Sequence, residues 1–278
     1  MKKQRVDILA YEQGLYDSRE QARRGIMAGE VYDQKNQRLD KPGEKIPAEQ
    51  TLQLKGRKLP YVSRGGLKLE KALQVFNIDV HNQLVLDIGS STGGFTDVVL
   101  QNGARLVYAL DVGYNQLAWK LREDPRVKVM ERVNFRYSQP DDFKEGLPDF
   151  AVTDVSFISL KLILPPLRTI LKPDHDLVAL IKPQFEAGPE RVGKHGIVRD
   201  PKVHRDVLEM ITNFALTQNY DVLGLDFSPI KGGGGNIEFL IWLRNVQNRQ
   251  GRIAASVDIP ALLSRTAEIL NKNPKSSQ

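Results

Sequence analysis

A doubly wound, mostly parallel α/β sheet with a small α+β unit ahead of it is the fold class predicted by this sequence of 278 residues. Two observations predict the sheet. Short apolar runs at 84–88, 106–110, 127–130, 149–153 and 177–182 alternate with helix-length patterns at 94–102, 115–122, 160–171 and 202–218, and helices between strands are what a parallel sheet covered on both faces requires. The first run, LVLDI, passes straight into the glycine loop GSSTGG, the kind of turn by which an open α/β sheet presents backbone amides at a strand's carboxyl end. Length predicts the appendage, because such a chain is long for one domain and short for two large ones.

In chain order, residues 1–58 read as helix, turn, helix and short strands. Val6, Ile8, Leu9 and Leu15 give the first apolar face, Gly14 marks a turn, and Ser18 can cap a second helix, REQARRGIMA, that stops at Gly29. On that helix Arg19 and Arg23 lie four apart with Arg24 adjacent, so they share a face, which is either solvated or an anion-binding surface. EVYDQKNQRLDKPGEKI, with a turn at Asp33 to Asn36 and the loop DKPGEK, reads as a small two- or three-stranded unit. Residues 59–64 form a linker, 65–271 the α/β body, and 272–278 a frayed tail. Within the body, DVLGLDFSPI and IEFLIWL, joined by KGGGGN, read as a closing pair of strands.

Charge is unevenly spread. Lys and Arg outnumber Asp and Glu by 13 to 9 in residues 1–58 and by 6 to 2 in residues 244–278, whereas the body between has 21 against 23. A near-neutral body with basic ends suits a nucleic-acid partner. With 41% hydrophobic and 27% charged residues the composition is that of a soluble globular protein. The absence of cysteine excludes disulfides, thiolate metal sites and cysteine nucleophiles and fits a cytoplasmic location. MKKQRVDILAYEQ lacks the apolar core of a secretory signal, and the longest apolar runs have strand lengths, so neither export nor a membrane span is expected. His81, His175, His195 and His204 are scattered with no metal-ligand spacing, and Ser156 and Ser159 have no histidine placed for a hydrolytic triad.

Four charged residues fall where burial needs a reason. Asp154 follows FAVT and Lys182 follows LVALI, both at ends of predicted strands, and Glu238 interrupts the apolar run NIEFLIWL. Isolated charges there are costly, so Lys182 with Asp154 and Glu238 makes a mutually neutralising group, either structural or catalytic. Lys68 lies on the charged side of a helix pattern whose apolar members are Leu67, Leu69, Leu73 and Phe76. At the cofactor-type loop, the spacing G-x-x-x-G-G differs from the dinucleotide G-x-G-x-x-G and from a phosphate loop, which argues against a nicotinamide enzyme. Asp111 ends the second strand, where a carboxylate can accept both hydroxyls of a ribose.

These motifs carry resemblances. RVDIL, GLYDSREQARRGIMAGEV and KPG together resemble the small RNA-binding domain named after ribosomal protein S-four. That resemblance implies that Arg5, Arg19, Arg23 and Arg24 face RNA, where guanidinium forks suit phosphate oxygens. LDIGSSTGGFTD followed by YALDVG resembles the S-adenosylmethionine site of class I methyltransferases, which implies a seven-stranded sheet. It further implies that Asp87, Gly89, Ser90, Gly93, Gly94 and Phe95 cradle the methionine end of S-adenosyl-L-methionine, that Asp111 holds its ribose, and that Asn134 in RVNF meets its adenine. Asn134 reads equally well as an ordinary turn residue.

In chain order Lys68, Asp154, Lys182 and Glu238, in LKL, TDVSF, IKPQFE and IEF, resemble the tetrad of FtsJ-type ribose 2′-O-methyltransferases. The whole architecture resembles the TlyA or hemolysin A family. What this implies is methylation of a cytidine ribose in ribosomal RNA, free or in ribosomal subunits, without a metal, with Lys182 orienting the hydroxyl and taking or sharing its proton. Two other readings remain beside it: the membrane-active protein that the word hemolysin suggests, and a non-catalytic RNA-binding assembly factor. The segment 184–200, rich in glycine and proline, reads either as a lid or as a solvated loop.

Overall fold

The computed structural model describes residues 3–27, 29–54 and 59–272. The chain divides into two compact units, Met1–Pro60 and Tyr61–Gln278. In the first, β1 (Lys3–Arg5) runs into α1 (Val6–Glu12), followed by α2 (Arg19–Met27), β2 (Val31–Asp33), β3 (Lys45–Pro47) and β4 (Leu52–Leu54). Ser18 caps α2 as its side chain predicts, accepting from Gln21 N at 3.2 Å. The strands form two antiparallel pairs, β1 with β3 and β2 with β4. Val6, Leu9, Ala22, Ile26, Val31 and Leu52 make a small core beneath them.

Residues 61–63, expected as linker, belong to the second unit: Val62 N donates to Asp97 Oδ2 at 2.8 Å and Tyr61 Oη to Glu70 at 2.8 Å. The basic residues 55–58 and the tail residues 273–278 lie outside the described residues. The unit continues with α3 (Gly66–Val75), β5 (Leu84–Ile88), α4 (Gly94–Gln101), β6 (Leu106–Asp111), α5 (Trp119–Arg122) and β7 (Val127–Glu131). After these come β8 (Phe150–Thr153), α6 (Leu164–Ile170), β9 (Asp176–Ile181), α7 (Pro183–Glu186), α8 (Pro201–Thr217), β10 (Tyr220–Phe227), β11 (Phe239–Asn245) and α9 (Ile259–Lys272). Seven strands form one sheet in the order β10-β11-β9-β8-β5-β6-β7. β11 is antiparallel to both its neighbours, and the other pairs are parallel.

The apolar alternation along the strands divides two cores. Leu84, Leu86 and Ile88 face the side packed by α6, α8 and α9, while Val85 joins Leu69, Leu73, Val98 and Leu121 on the side of α3, α4 and α5. The chain goes from β5 outward through β6 and β7, then returns to the other side of β5 with β8 and β9. The crevice where strand order reverses therefore opens at the carboxyl ends of β5 and β8, the usual ligand position in open α/β sheets.

Two predicted helices are shorter than their sequence patterns. Of 115–122 only Trp119–Arg122 is helical, because the residues before it fold over the glycine loop: Ala118 N donates to Thr92 O at 3.1 Å, and Asn115 has φ of 55°. Segment 160–171 is a 3-10 turn, Leu160–Leu162, followed by α6, whose first turn holds Pro165 and Pro166 where a missing N–H is tolerated.

Candidate active site

Lys68 is buried rather than solvated. It sits on the inward side of α3, 7% exposed, beside Leu69 and Ala72. Its ammonium lies 3.0 Å from Asp154 Oδ2 and 2.7 Å from Glu238 Oε2. Lys182, just beyond β9, places its ammonium 2.6 Å from Asp154 Oδ1 and donates to Ser156 Oγ at 3.0 Å. The structure thus gathers all four tetrad residues but pairs them differently from expectation. Lys68 bridges both carboxylates, whereas the ion pair of Lys182 is with Asp154. Gln184 Nε2 completes the group at 3.3 Å from Glu238 Oε1.

Burial and pairing oppose each other here. Burial works to lower the Lys68 pKa, but the Asp154 and Glu238 carboxylates outweigh it and hold the ammonium above its ordinary value. Burial likewise works to raise Asp154, and the ammoniums of Lys68 and Lys182 outweigh it and hold its carboxyl below the usual range. Two lysines facing two acids leave the cluster close to neutral, which makes its burial tolerable.

The tetrad lies in a cavity of about 550 Å³. Its lining includes Gly89, Ser90, Ser91, Thr92, Gly94 and Phe95 from the glycine loop and the start of α4, and His195, Gly196, Gly232, Gly233 and Asn236 from the loops after β9 and before β11. Phe157 stands at this cavity 91% exposed, with φ of 62°, and its ring lies 5.0 Å from that of Phe185. An exposed aromatic held in the left-handed region is costly for folding, the kind of outlier that gathers at functional sites.

The glycine loop is shaped by its coverings. At Gly93, φ is 94° and a Cβ would lie 2.3 Å from Leu121 Cδ1; at Gly94 it would lie 2.3 Å from Ser63 Oγ. These two glycines therefore admit α5 and the Tyr61–Gly65 stretch. Ser91, itself left-handed at φ 49°, donates its N–H to Asp111 Oδ2 at 2.8 Å, and Gly113 N donates to Asp111 Oδ1 at 2.7 Å. Asp111 ties the loop to β6 while each oxygen keeps acceptor capacity for a hydroxyl.

Asp87 occupies a different place from the one expected. It is 1% exposed, accepts from Thr96 Oγ1 at 2.7 Å, and does not line the cavity. Its Oδ1 has no hydrogen-bond partner among the described residues. Burial pushes its pKa up to about 7, with Thr96 opposing and the charges of Asp154 and Asp111 adding to the rise. Asn134 is exposed, and its side chain accepts from Arg136 N at 3.2 Å, capping the turn Phe135–Tyr137. Neither Asp111 nor Asn134 lines the cavity.

In the first unit, Arg5, Arg19, Arg23 and Arg24 are ion-paired. Arg5 forks onto the buried Asp7 at 2.9 and 3.0 Å, and Arg19 Nε reaches the same carboxylate at 3.1 Å. Arg23 and Arg24 both approach Glu20, at 3.5 and 3.7 Å. These exposed helix pairs contribute little to stability and leave their guanidiniums accessible.

Sequence reasoning missed Ser156, Gln184, His195, Gly232 and Asn236. Ser156 and Gln184 stand two residues after Asp154 and Lys182, so the motifs TDVS and KPQ did hold a signal. The segment 184–200 carries 3-10 turns at Pro189–Arg191 and Lys194–Gly196, and Val198 within it is 2% exposed. Among the described residues no group of three or more His, Asp or Glu side chains could hold a metal ion, and no helix is long and apolar enough to cross a membrane.

A seven-stranded sheet with one reversed strand, a glycine loop at its switch point and an acid ending the next strand define an α/β fold of the class I methyltransferase type. The chain belongs to the FtsJ-like methyltransferase family, which matches residues 61–245. It is 64% identical over 242 residues to YqxC of Bacillus subtilis, named as a candidate rRNA methyltransferase, covering 87% of this chain and 86% of that one. It is 41% identical over 251 residues to the 16S/23S rRNA (cytidine-2′-O)-methyltransferase TlyA of Mycobacterium tuberculosis, covering 88% and 91%. Among solved structures, one from Streptococcus thermophilus, named as a candidate hemolysin, superposes with a TM-score of 0.80 at 57% identity and covers 99% of both chains.

Proposed function

We propose that this protein transfers a methyl group from S-adenosyl-L-methionine to the ribose 2′-hydroxyl of a cytidine in ribosomal RNA. The observation that carries the reading is the convergence of Lys68, Asp154, Lys182 and Glu238 on a cavity bordered by the glycine loop. The names of the TlyA and YqxC relatives supply the substrate class.

The residues present fit the cofactor. Gly89, Ser90, Gly93, Gly94 and Phe95 would hold its methionine end against the start of α4, and Asp111 its ribose. Asn134, three residues after β7, would meet its adenine. Asp87 would act beneath the loop, through Thr96. When bound, S-adenosylmethionine supplies an electrophilic sulfonium methyl. The chain's own task is to orient and activate a hydroxyl that is a poor nucleophile at neutral pH. As a neutral amine Lys182 would direct its two N–H groups to Asp154 and Ser156 and its lone pair to the proton of the hydroxyl. Lys68 keeps Asp154 ionised, so that once a neutral Lys182 has taken the ribose proton and become an ammonium, a carboxylate already balances its charge. Holding two substrates in one geometry can itself be worth about 7–11 kcal/mol in favourable cases.

Phe157, with Phe185 behind it, gives an unstacked base an aromatic face at the cavity. RNA capture falls to Arg5, Arg19, Arg23 and Arg24 of the first unit, whose small α+β make-up suits the S-four-type resemblance. The test is transfer of tritiated methyl from S-adenosylmethionine to isolated ribosomal subunits lacking the modification, followed by mapping of the labelled nucleotide. Label on a cytidine 2′-oxygen is expected. A protein that binds the cofactor yet labels neither subunit nor free ribosomal RNA would refute the reading.

A further inference from the structure

Part of the cavity wall comes from two chain segments far apart in sequence. His195 and Gly196 arrive from the loop after β9, Gly232 and Gly233 from the loop before β11. One side chain joins them. Asn236, 2% exposed, accepts Val198 N–H on Oδ1 at 2.9 Å and donates from Nδ2 to Gly196 O at 2.8 Å and to Gly233 O at 2.9 Å. Its own carbonyl accepts Gly232 N at 2.9 Å. Every part of the carboxamide is engaged, which no side chain of another shape reproduces. His204, 4% exposed, holds the far side of the same strand of chain, with Nε2 3.2 Å from Val198 O.

The clamp holds something that would otherwise relax. His195 has φ of 64° and Gly196 of 72°, two consecutive left-handed residues, the first with a side chain that disfavours it. The wall also rests directly on the tetrad, for a Cβ at Gly232 would lie 2.0 Å from Glu238 Oε1.

Strand order says which substrate meets this wall. The glycine loop and Asp111 follow β5 and β6, whereas Lys182 follows β9 and Glu238 precedes β11, and β8 with Asp154 lies between the two halves. With the cofactor on the β5–β6 side, the acceptor approaches from the β9–β11 side. We infer that Asn236 is a positioning residue for the acceptor nucleotide, fixing segments 193–198 and 232–236 as one rigid wall of the cavity. The inference rests on the methyl-transfer reading.

The test is Asn236→Ala, with cofactor affinity by calorimetry, steady-state methylation of ribosomal subunits, and amide hydrogen exchange across 193–199. Exchange at Val198 is expected to rise about tenfold or more as its buried acceptor is lost. The RNA KM is expected to rise about tenfold, with kcat and cofactor Kd held within about threefold. Should the alanine variant fail to fold, Asn236→Asp keeps the acceptor for Val198 and sets a carboxylate against two carbonyls, and the same split is expected. An unchanged RNA KM with faster loop exchange would overturn the inference, as would a cofactor Kd rising in step with KM. Failure of the methyl-transfer reading shows separately, as absence of turnover in the unaltered protein, and the exchange rate reads the clamp without turnover.

Discussion

Replacing Lys68 by methionine separates the electrostatics of the tetrad from its chemistry. The unaltered site holds two ammoniums against two carboxylates, and Lys68 is the residue within 3.0 Å of both acids. Its removal takes the ammonium from Glu238, 2% exposed, and leaves it the Gln184 amide at 3.3 Å. Stranding one member of a buried ion pair costs about 3–5 kcal/mol. In a unit of this size each kcal/mol moves the melting midpoint by about 2–4 °C, so a fall of roughly 6–20 °C is expected. Lys182→Met is milder, because Asp154 keeps Lys68 at 3.0 Å, and a loss of roughly 0.5–2 kcal/mol is expected.

Both variants should lose methyl transfer in single-turnover assays, so equal loss of activity accompanies unequal loss of stability. Adding Glu238→Gln to Lys68→Met should recover part of the stability by removing the stranded charge. The pH dependence follows from the two shifts. Lys68, raised in the folded state, contributes stability that is complete below its ordinary value of 10.5 and disappears as pH rises through its higher folded value. Asp154, depressed, contributes stability that is complete above 3.8 and disappears as pH falls through its lower folded value. The gap between unaltered and Lys68→Met protein should therefore stay level near neutrality and narrow in acid. Urea unfolding at several pH values measures it. Equal stability of the two lysine variants, or no recovery with Glu238→Gln, would show that Lys68 is not the keystone of the cluster.

Asp87→Asn should stabilise the protein above neutrality. Because burial raises this acid from 3.8 to about 7, its folded state binds the extra proton between those values, and stability falls as pH rises through them. The full cost of ionising it is on the order of 4 kcal/mol, so urea titrations should show a steeper decline from pH 4 to 7 in the unaltered protein than in Asp87→Asn, and matching slopes would refute the buried assignment. Asp111→Ala should weaken S-adenosylmethionine binding about tenfold or more by calorimetry, through the ribose and through the freed Ser91 amide, and a folded variant with unchanged affinity would remove Asp111 from the site. Changing Arg19, Arg23 and Arg24 to glutamine should lower the log–log salt slope of RNA binding by ~0.7–0.9 for each phosphate that is no longer neutralised. An unaltered slope would make that helix face mere solvation.

Much of this site was legible because strand ends are legible. A charge that follows an apolar run of strand length, as Asp111, Asp154 and Lys182 do, sits by periodicity at the sheet's carboxyl edge, and parallel strands gather such edges into one crevice. Helical spacing by itself placed Lys68 on the polar side of α3, and the fold overrode it, since a lysine stem packs on apolar neighbours while its head finds two acids. Asp87 lies beneath the loop, 1% exposed and bonded to Thr96, and its place in sequence two residues before Gly89 does not say on which side of the loop its carboxylate falls.

Asn236 was out of reach for a stronger reason. Its partners at 196 and 198 lie 40 and 38 residues away, and the pairing exists only once β9 and β11 are neighbours. The same dependence governs the tetrad. Lys68 comes from α3, Asp154 from just after β8, Lys182 from just after β9 and Glu238 from just before β11. Each charge is expensive to bury alone and tolerable beside the others, so the cluster can form only in the step that brings β11 into register with β9. A chain with β11 displaced would leave Lys68 facing one acid while Glu238 lost its ammonium, and the site would be charged as well as incomplete. Neutrality of the four-residue cluster and closure of the sheet are in this way one condition, which ties competence for the proposed chemistry to the pairing of Phe239 with Ile181, next to Glu238 and Lys182.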